Sequence, residues 1–302
     1  MIKVAVLMST YNGEKYLRDQ IDSILNQNGN FELHLIIRDD GSTDGTLAIL
    51  DEYRILGKLE WYKGDNLRTA KSFIDLLYNH PGFDFYAFSD QDDYWYEDKL
   101  ENGIKTIKDF SIPCLYFCNA EYFDKNLDPL GGKTYNHKMN LDFYSVLIGP
   151  GYLGCTFVFN KELAEIIQNN RLPEIVSMHD SFLARVCVCV GGEILFDPDC
   201  HIKYRQHGNN VIGSTVGVKD AIKRRICTIT TPLSITADEQ SREIISIYDH
   251  LIDSEKLEWL RLMAYYKDDF KLRLKLAFSS KPKFISRNMK IVTMLTILLG
   301  NY

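Results

Sequence analysis

What this chain of 302 residues lacks already narrows its function. It has no surplus of positive charge: 35 Lys and Arg stand against 41 Asp and Glu, for a net charge of −6 and a pI near 5.7. A nucleic-acid partner is therefore not expected. It has no zinc-finger spacing, because no His pair accompanies the seven cysteines (Cys114, Cys118, Cys155, Cys187, Cys189, Cys200 and Cys227). An odd, scattered set of this kind reads as small buried thiols in a reducing cytosol. Met1 to Met8 carries only Lys3 and runs straight into polar turn residues, so it reads as a strand and not a signal peptide. The apolar end, Ile291 to Leu299, is far too short to span a bilayer. There is neither an internal repeat nor a low-complexity segment. What remains is a chain that is 45% hydrophobic and 25% charged, enough for one large domain or two modest ones with a full core.

The first hundred residues alternate strands and helices. Ile2 to Met8 is an apolar strand that ends in the polar loop Ser9-Thr10-Tyr11-Asn12-Gly13. Glu14 to Asn26 spaces Tyr16, Leu17, Ile21, Ile24 and Leu25 as one helix face. Phe31 to Ile37 is a second strand, running into Arg38-Asp39-Asp40-Gly41-Ser42-Thr43-Asp44 and a helix over Gly45 to Arg54. A strand at Leu59 to Tyr62, a helix at Thr69 to Tyr78 and a strand at Phe85 to Ser89 follow. Short loops between such repeats predict an α/β fold with a doubly wound, mostly parallel sheet. The loops at Thr10, Asp39 and Asp90 then share one carboxyl edge, where ligands bind in open α/β sheets.

Ser89-Asp90-Gln91-Asp92-Asp93 is the stretch the chain is organised around. Three carboxylates within four positions repel one another unless they are solvated or neutralised by a cation. Hard oxygen ligands at that density suit Mg²⁺ or Mn²⁺, although an acidic surface turn is the commoner meaning of a bare pair. Further on, Cys114 to Asn119 and Cys155 to Asn160 read as strands, and Glu121 to Asn140 shows no clear period. Ser177-Met178-His179-Asp180 opens a helix over Ser181 to Val190, and Glu193 to Phe196 is a short strand. From Val218 onward only helices are expected. Lys271 to Tyr302 holds seven Lys and Arg and no acid, so this tail carries +7 and the rest of the chain −13. Such a tail is either an interfacial helix on an anionic membrane or a final helix docked on the core with a solvated basic face.

Thr10-Tyr11-Asn12, Asp39-Asp40-Gly41-Ser42-Thr43-Asp44, Asp90-Gln91-Asp92-Asp93, Met178-His179-Asp180 and Tyr204-Arg205-Gln206-His207-Gly208-Asn209-Asn210 together resemble an inverting, GT-A-fold glycosyltransferase of family 2. The resemblance covers residues 1 to about 215. It is most similar to bacterial rhamnosyltransferases of cell-wall and capsular polysaccharide assembly. It implies a nucleotide-sugar-binding half over residues 1–110, an acceptor-binding half over 111–217 and a helical C-terminal region over 218–302. The implied donor is dTDP-rhamnose, with a UDP-hexose as the alternative. The implied acceptor is a saccharide or lipid-linked saccharide, in the cytoplasm at the inner face of the cell membrane. Asp92 would hold Mg²⁺ or Mn²⁺ against the diphosphate, and His207 would complete the metal site. Asp90 would meet the ribose, Asp40 beside Asp39 would accept from a pyrimidine N3–H, and Thr10 and Tyr11, with Asn12, would wall the base. Arg205 would meet the diphosphate, and Asp180 would be the general base. Without the resemblance, Asp180 reads as a helix cap and Asp39-Asp40 as a turn.

Three other classes compete. A glycoside hydrolase uses paired carboxylates but needs neither nucleotide loops nor a metal cluster. A nucleotidyltransferase would carry a Gly-rich loop with a basic residue, and Ser9 to Gly13 has neither. A non-catalytic nucleotide-binding module would not need Asp180. A homodimer contact is the alternative reading of the C-terminal helices.

Overall fold

A computed structural model of the protein describes residues 1–149, 151–207 and 235–302. Its centre is a nine-stranded sheet. β1 (Ile2–Thr10) lies between β2 (Phe31–Asp39) and β4 (Phe85–Ser89), with β3 (Glu60–Lys63) outside β2, and these four strands run parallel. Side chains of β1 alternate between two cores. Val4, Val6 and Met8 pack with Ile21 of α1 (Leu17–Leu25), Leu50 of α2 (Thr46–Ile55) and Leu100 of α4 (Lys99–Ile107). Ala5 and Leu7 pack with Phe73 and Leu77 of α3 (Arg68–Asn79) on the other face. A strand buried on both faces needs an unbroken apolar run, which is how Val4 to Met8 reads.

Beyond β4 the direction changes. β8 (Phe157–Asn160) is inserted antiparallel between β4 and β6 (Cys114–Phe123). β9 (Glu193–Arg205) pairs parallel with β6, and the two-residue β5 (Tyr94–Trp95) pairs antiparallel with β9. The parallel sheet expected from the repeats thus holds for the first four strands and for β6 with β9, joined through an antiparallel strand. β9 is 13 residues long, not the short strand expected over Glu193 to Phe196. Irregular register opposite Asp197 to Cys200 absorbs Pro198, which has no N–H to give to a regular ladder. Within the stretch read as aperiodic, β7 (Pro129–Lys133) forms a hairpin on β6.

α5 (Phe143–Ile148), α6 (Lys161–Gln168) and α7 (His179–Cys189) cover the second half. The residues described after 234 are helical, as expected: α8 (Ala237–Tyr248), α9 (Ser254–Tyr265), α10 (Phe270–Ala277) and α11 (Arg287–Leu299), with a single 3₁₀ turn after α8. α8 braces the segment that leads into α7. Gln240 Oε1 accepts from Ser177 N at 3.0 Å, and Glu243 accepts from Glu174 N at 2.7 Å. Six cysteines are free thiols, five of them buried. Cys227, the boundary at residue 217 and Gly208-Asn209-Asn210 lie outside the described residues.

Candidate active site

The carboxyl ends of β1, β2 and β4 deliver three loops to one edge, and those loops bond mainly to one another. Asn12 has φ +50, and its backbone N–H donates to Ser42 Oγ at 2.9 Å while its Oδ1 accepts from Thr43 N at 2.8 Å. Gly13 N donates to Thr46 Oγ1 at 2.9 Å. Gln91 accepts from Tyr11 N and donates to Tyr11 O, tying the β1 loop to the acidic loop. A Cβ on Gly13 would fall 2.3 Å from Gln91 Oε1, so any larger residue here would push the Gln91 amide off its bonds to Tyr11. Asp39 is fully buried and accepts from the backbone N–H of Gly41 and Ser42 and from the Thr10 hydroxyl. Thr10 and Asp39 therefore build the loop from inside. Asp40 lines the cleft, accepts from Ser72 Oγ at 3.0 Å and is ion-paired with Arg38.

The acidic loop sits at the centre. Asp92 Oδ2 lies 2.8 Å from His207 Nε2, 115 residues along the chain. Tyr16 stacks on His207 with ring centres 5.2 Å apart. Asp90 is pushed up to about 7, first by burial and then by the negative charges of Asp92 and Asp180. Asp93, wholly buried, is pushed well above the usual carboxylate range by burial and by Asp92 and Asp90. Ligand atoms of Asp90, Asp93 and Cys155 lie within 4.8 Å of one another. Burial keeps the Cys155 thiol well above its ordinary value, so it stays protonated beside them. Lys99, also wholly buried, holds its Nζ 3.4 Å from the centre of the Trp95 ring; burial pulls it down to about 8.

Arg205 was expected at a diphosphate. It is placed beneath the cleft, 2% exposed, with its guanidinium donating to Asp92 O, Lys125 O and Asp19 Oδ2. Its backbone N–H donates to Asp93 Oδ1 at 3.1 Å. These bonds hold the acidic loop against the end of β9. The cations that do line the cleft include Lys15 and Arg68, neither of which stands out in the sequence. Arg68 adopts φ +62, a strained value for a residue with a Cβ, and no local sequence signal reports it.

Across the cleft stands the start of α7. Asp180 is 5% exposed; its Oδ2 accepts from Gly154 N at 3.2 Å and its Oδ1 from Ser181 N. Burial nevertheless raises it to about 6, these N–H donors working the other way. His179 is stacked 4.0 Å from Phe73 with both ring nitrogens buried and lacking a hydrogen-bond partner. Burial drives it down to about 3, so its ring is neutral. A Cβ on Gly154 would lie 2.2 Å from His179 Nε2, so only glycine lets this turn approach the histidine. The cleft enclosed by both walls has a volume of about 880 Å³, and Tyr11, Asn12, Asp40, Asp90, Asp92, Asp180 and His207 all line it. That is room for a ligand of nucleotide-sugar size.

Residues 5–166 match Glycosyl transferase family 2. The chain belongs to this family. Among its relatives, this family 2 chain is 33% identical over 239 residues to the dTDP-rhamnosyl transferase RfbG of Shigella flexneri, covering 72% of the present chain and 77% of that one. In structure it is similar to S. aureus TarS 1-349 in complex with UDP-GlcNAc, with a TM-score of 0.55 and 15% identity over 100% of this chain and 93% of that chain. It is also similar to the mannosyltransferase PcManGT from Pyrobaculum calidifontis in complex with GDP-Man and Mn²⁺. That match has a TM-score of 0.56 at 17% identity, over 99% of this chain and 85% of the other. At such identities the structural likeness shows the fold: this is a GT-A-like glycosyltransferase with a helical C-terminal region.

Proposed function

We propose that the protein transfers a sugar, rhamnose from dTDP-rhamnose first among candidates, to a hydroxyl of a saccharide or lipid-linked saccharide in polysaccharide assembly. The observation that carries this reading is Asp180: a buried carboxylate raised to about 6, set across the cleft from a cross-braced nucleotide cradle. Asp180 takes the proton of the acceptor hydroxyl, the acceptor oxygen forms a bond to the anomeric carbon, and the bond from that carbon to the phosphate oxygen breaks. Its electron pair leaves with the nucleoside diphosphate. One displacement inverts the anomeric centre and needs no protein nucleophile. The relative of known donor, the dTDP-rhamnosyl transferase, supports the donor assignment.

The residues fit a hard divalent cation. Asp92 and His207 present an oxygen and a nitrogen 2.8 Å apart, and Asp90 is raised first by burial and then by the negative charges of Asp92 and Asp180, which a cation would offset. Mg²⁺ or Mn²⁺ held there would neutralise charge on the departing diphosphate. Asp40 orients the base, Tyr11 and Asn12 form its wall, and Asp90 faces the ribose. Lys15 and Arg68 supply positive charge on the same side.

The test is a donor screen with the purified full chain: dTDP-rhamnose and several UDP-hexoses with Mn²⁺, reading release of nucleoside diphosphate. Turnover of dTDP-rhamnose is expected. Preference for a UDP-hexose would reassign the donor, and binding without turnover of any donor would make this a nucleotide-binding module.

A further inference from the structure

The C-terminal helices dock on the core, yet they leave two apolar stripes uncovered. On the inner side, Leu276 and Ala277 of α10 and Thr293, Thr296 and Ile297 of α11 are buried, and Tyr266 donates its hydroxyl to Tyr302 O. On the outer side, Phe270, Leu274 and Phe278 follow one another at every fourth position and are 64%, 37% and 63% exposed. Ile291, Leu295 and Leu299 repeat that spacing on α11 at 41%, 38% and 56%. Residues four apart share a helix face, so each helix shows one line of large side chains to water.

Charge accompanies these lines. Lys271, Lys283, Arg287 and Lys290 have no acidic partner among the described residues, whereas Lys275 and Lys281 face Glu258 and Glu255 in exposed pairs. Arg287 lies one turn before Ile291 on the same line; Phe270 stands between Lys271 and Asp269, whose carboxylate caps the helix by accepting from Lys271 N. The tail of +7 contrasts with −13 elsewhere. No helix among the described residues is long and apolar enough to cross a membrane. A shallow apolar line flanked by cations matches the boundary between anionic headgroups and acyl chains. A second copy of the chain fits less well, because a two-fold contact would set each basic patch against itself.

We infer that the outer face of α10 and α11 is a docking surface for an anionic bilayer. Phe270, Leu274, Phe278, Ile291, Leu295 and Leu299 insert among the lipids, and the unpaired cations meet the headgroups. The surface lies apart from the cleft, so it holds whatever donor the protein uses.

The experiment is flotation of the full chain with phosphatidylglycerol or phosphatidylcholine vesicles. Binding to phosphatidylglycerol is expected at about 0.01 M salt and is expected to fall steeply toward 1 M, where screening acts within about 3 Å. Lys271→Gln with Lys290→Gln should weaken it roughly tenfold or more, each cation near an anionic surface being worth about fivefold. Phe270→Ser with Phe278→Ser should weaken it too, with the melting temperature nearly unchanged because both side chains are more than three-fifths exposed. Should the serine pair unfold, the glutamine pair decides alone. Absence of flotation with phosphatidylglycerol at low salt overturns the proposal. So does a concentration-dependent dimer that the serine pair abolishes while no vesicle is bound.

Discussion

The loops after β1 and β2 and the start of α7 treat their polar groups differently, with the acidic loop, where Asp90 and Asp93 are raised, lying between them. On the strand-end side, loop is bonded to loop: Asp39 is filled by N–H and O–H donors, Asn12 bonds across to the next loop, and Arg205 is held by three oxygens. On the α7 side, His179 has two unpaired ring nitrogens and Asp180 is buried far enough to be raised to about 6. A satisfied network fixes a shape before the ligand arrives, while a buried carboxylate raised despite its two N–H donors is held ready for chemistry. The first wall is a cradle and the second is a reagent.

The largest effect is expected where the walls meet the donor's charge. EDTA, or Asp92→Asn, should reduce transfer on the order of 10²–10³-fold or more, and Mn²⁺ or Mg²⁺ should restore only the chelated wild type. Full activity in EDTA would remove the cation from the account. Next, Arg68→Ala should raise the donor KM roughly tenfold, the loss of one charge-assisted contact. An unchanged KM would return the diphosphate to another cation.

Arg205→Lys, in the cradle, should instead cost about 1–3 kcal/mol of stability, since a lysine cannot bond three oxygens held in the plane of a guanidinium. A variant as stable as the wild type, with weakened donor binding, would show Arg205 to be a ligand and not a brace. The smallest effect has the opposite sign. Asp180 is raised in the folded protein, so its ionisation opposes folding as pH climbs from about 4 to about 6 and stays costly above. Asp180→Asn should therefore gain on the order of 1–3 kcal/mol at pH 8 and nothing at pH 4, read from denaturant midpoints. A loss at pH 8 would make Asp180 a structural cap.

The strands and loops of the first wall were legible because apolar runs stop abruptly at polar residues: Met8 before Ser9, Ile37 before Arg38, Phe88 before Ser89. The motifs that resemble family 2 placed Asp92 with His207, and Asp180 opposite them. Other features depend on distant partners that a linear reading cannot supply. Arg205 meets Asp19 across 186 residues, and Lys99, a residue type ordinarily solvated, is buried over Trp95 at the start of α4. The Arg68 backbone is imposed by its loop, and β9 crosses Pro198 only because β6 shifts register opposite it. Read as aperiodic, Glu121 to Asn140 hid β7, whose Gly131 and Gly132 take positive φ and weaken any strand signal.

The central claim is that Asp180 takes the acceptor's proton, and the pH profile of kcat for wild type and Asp180→Asn tests it most directly. The wild type should lose activity about tenfold per unit as pH falls below about 6 and level off above, because a protonated carboxyl cannot act as base. The Asn variant should be about 10²–10⁴-fold slower, lack that inflection and bind donor with near-normal affinity. An Asn variant with the wild-type kcat, or with the same inflection near 6, would contradict the assignment.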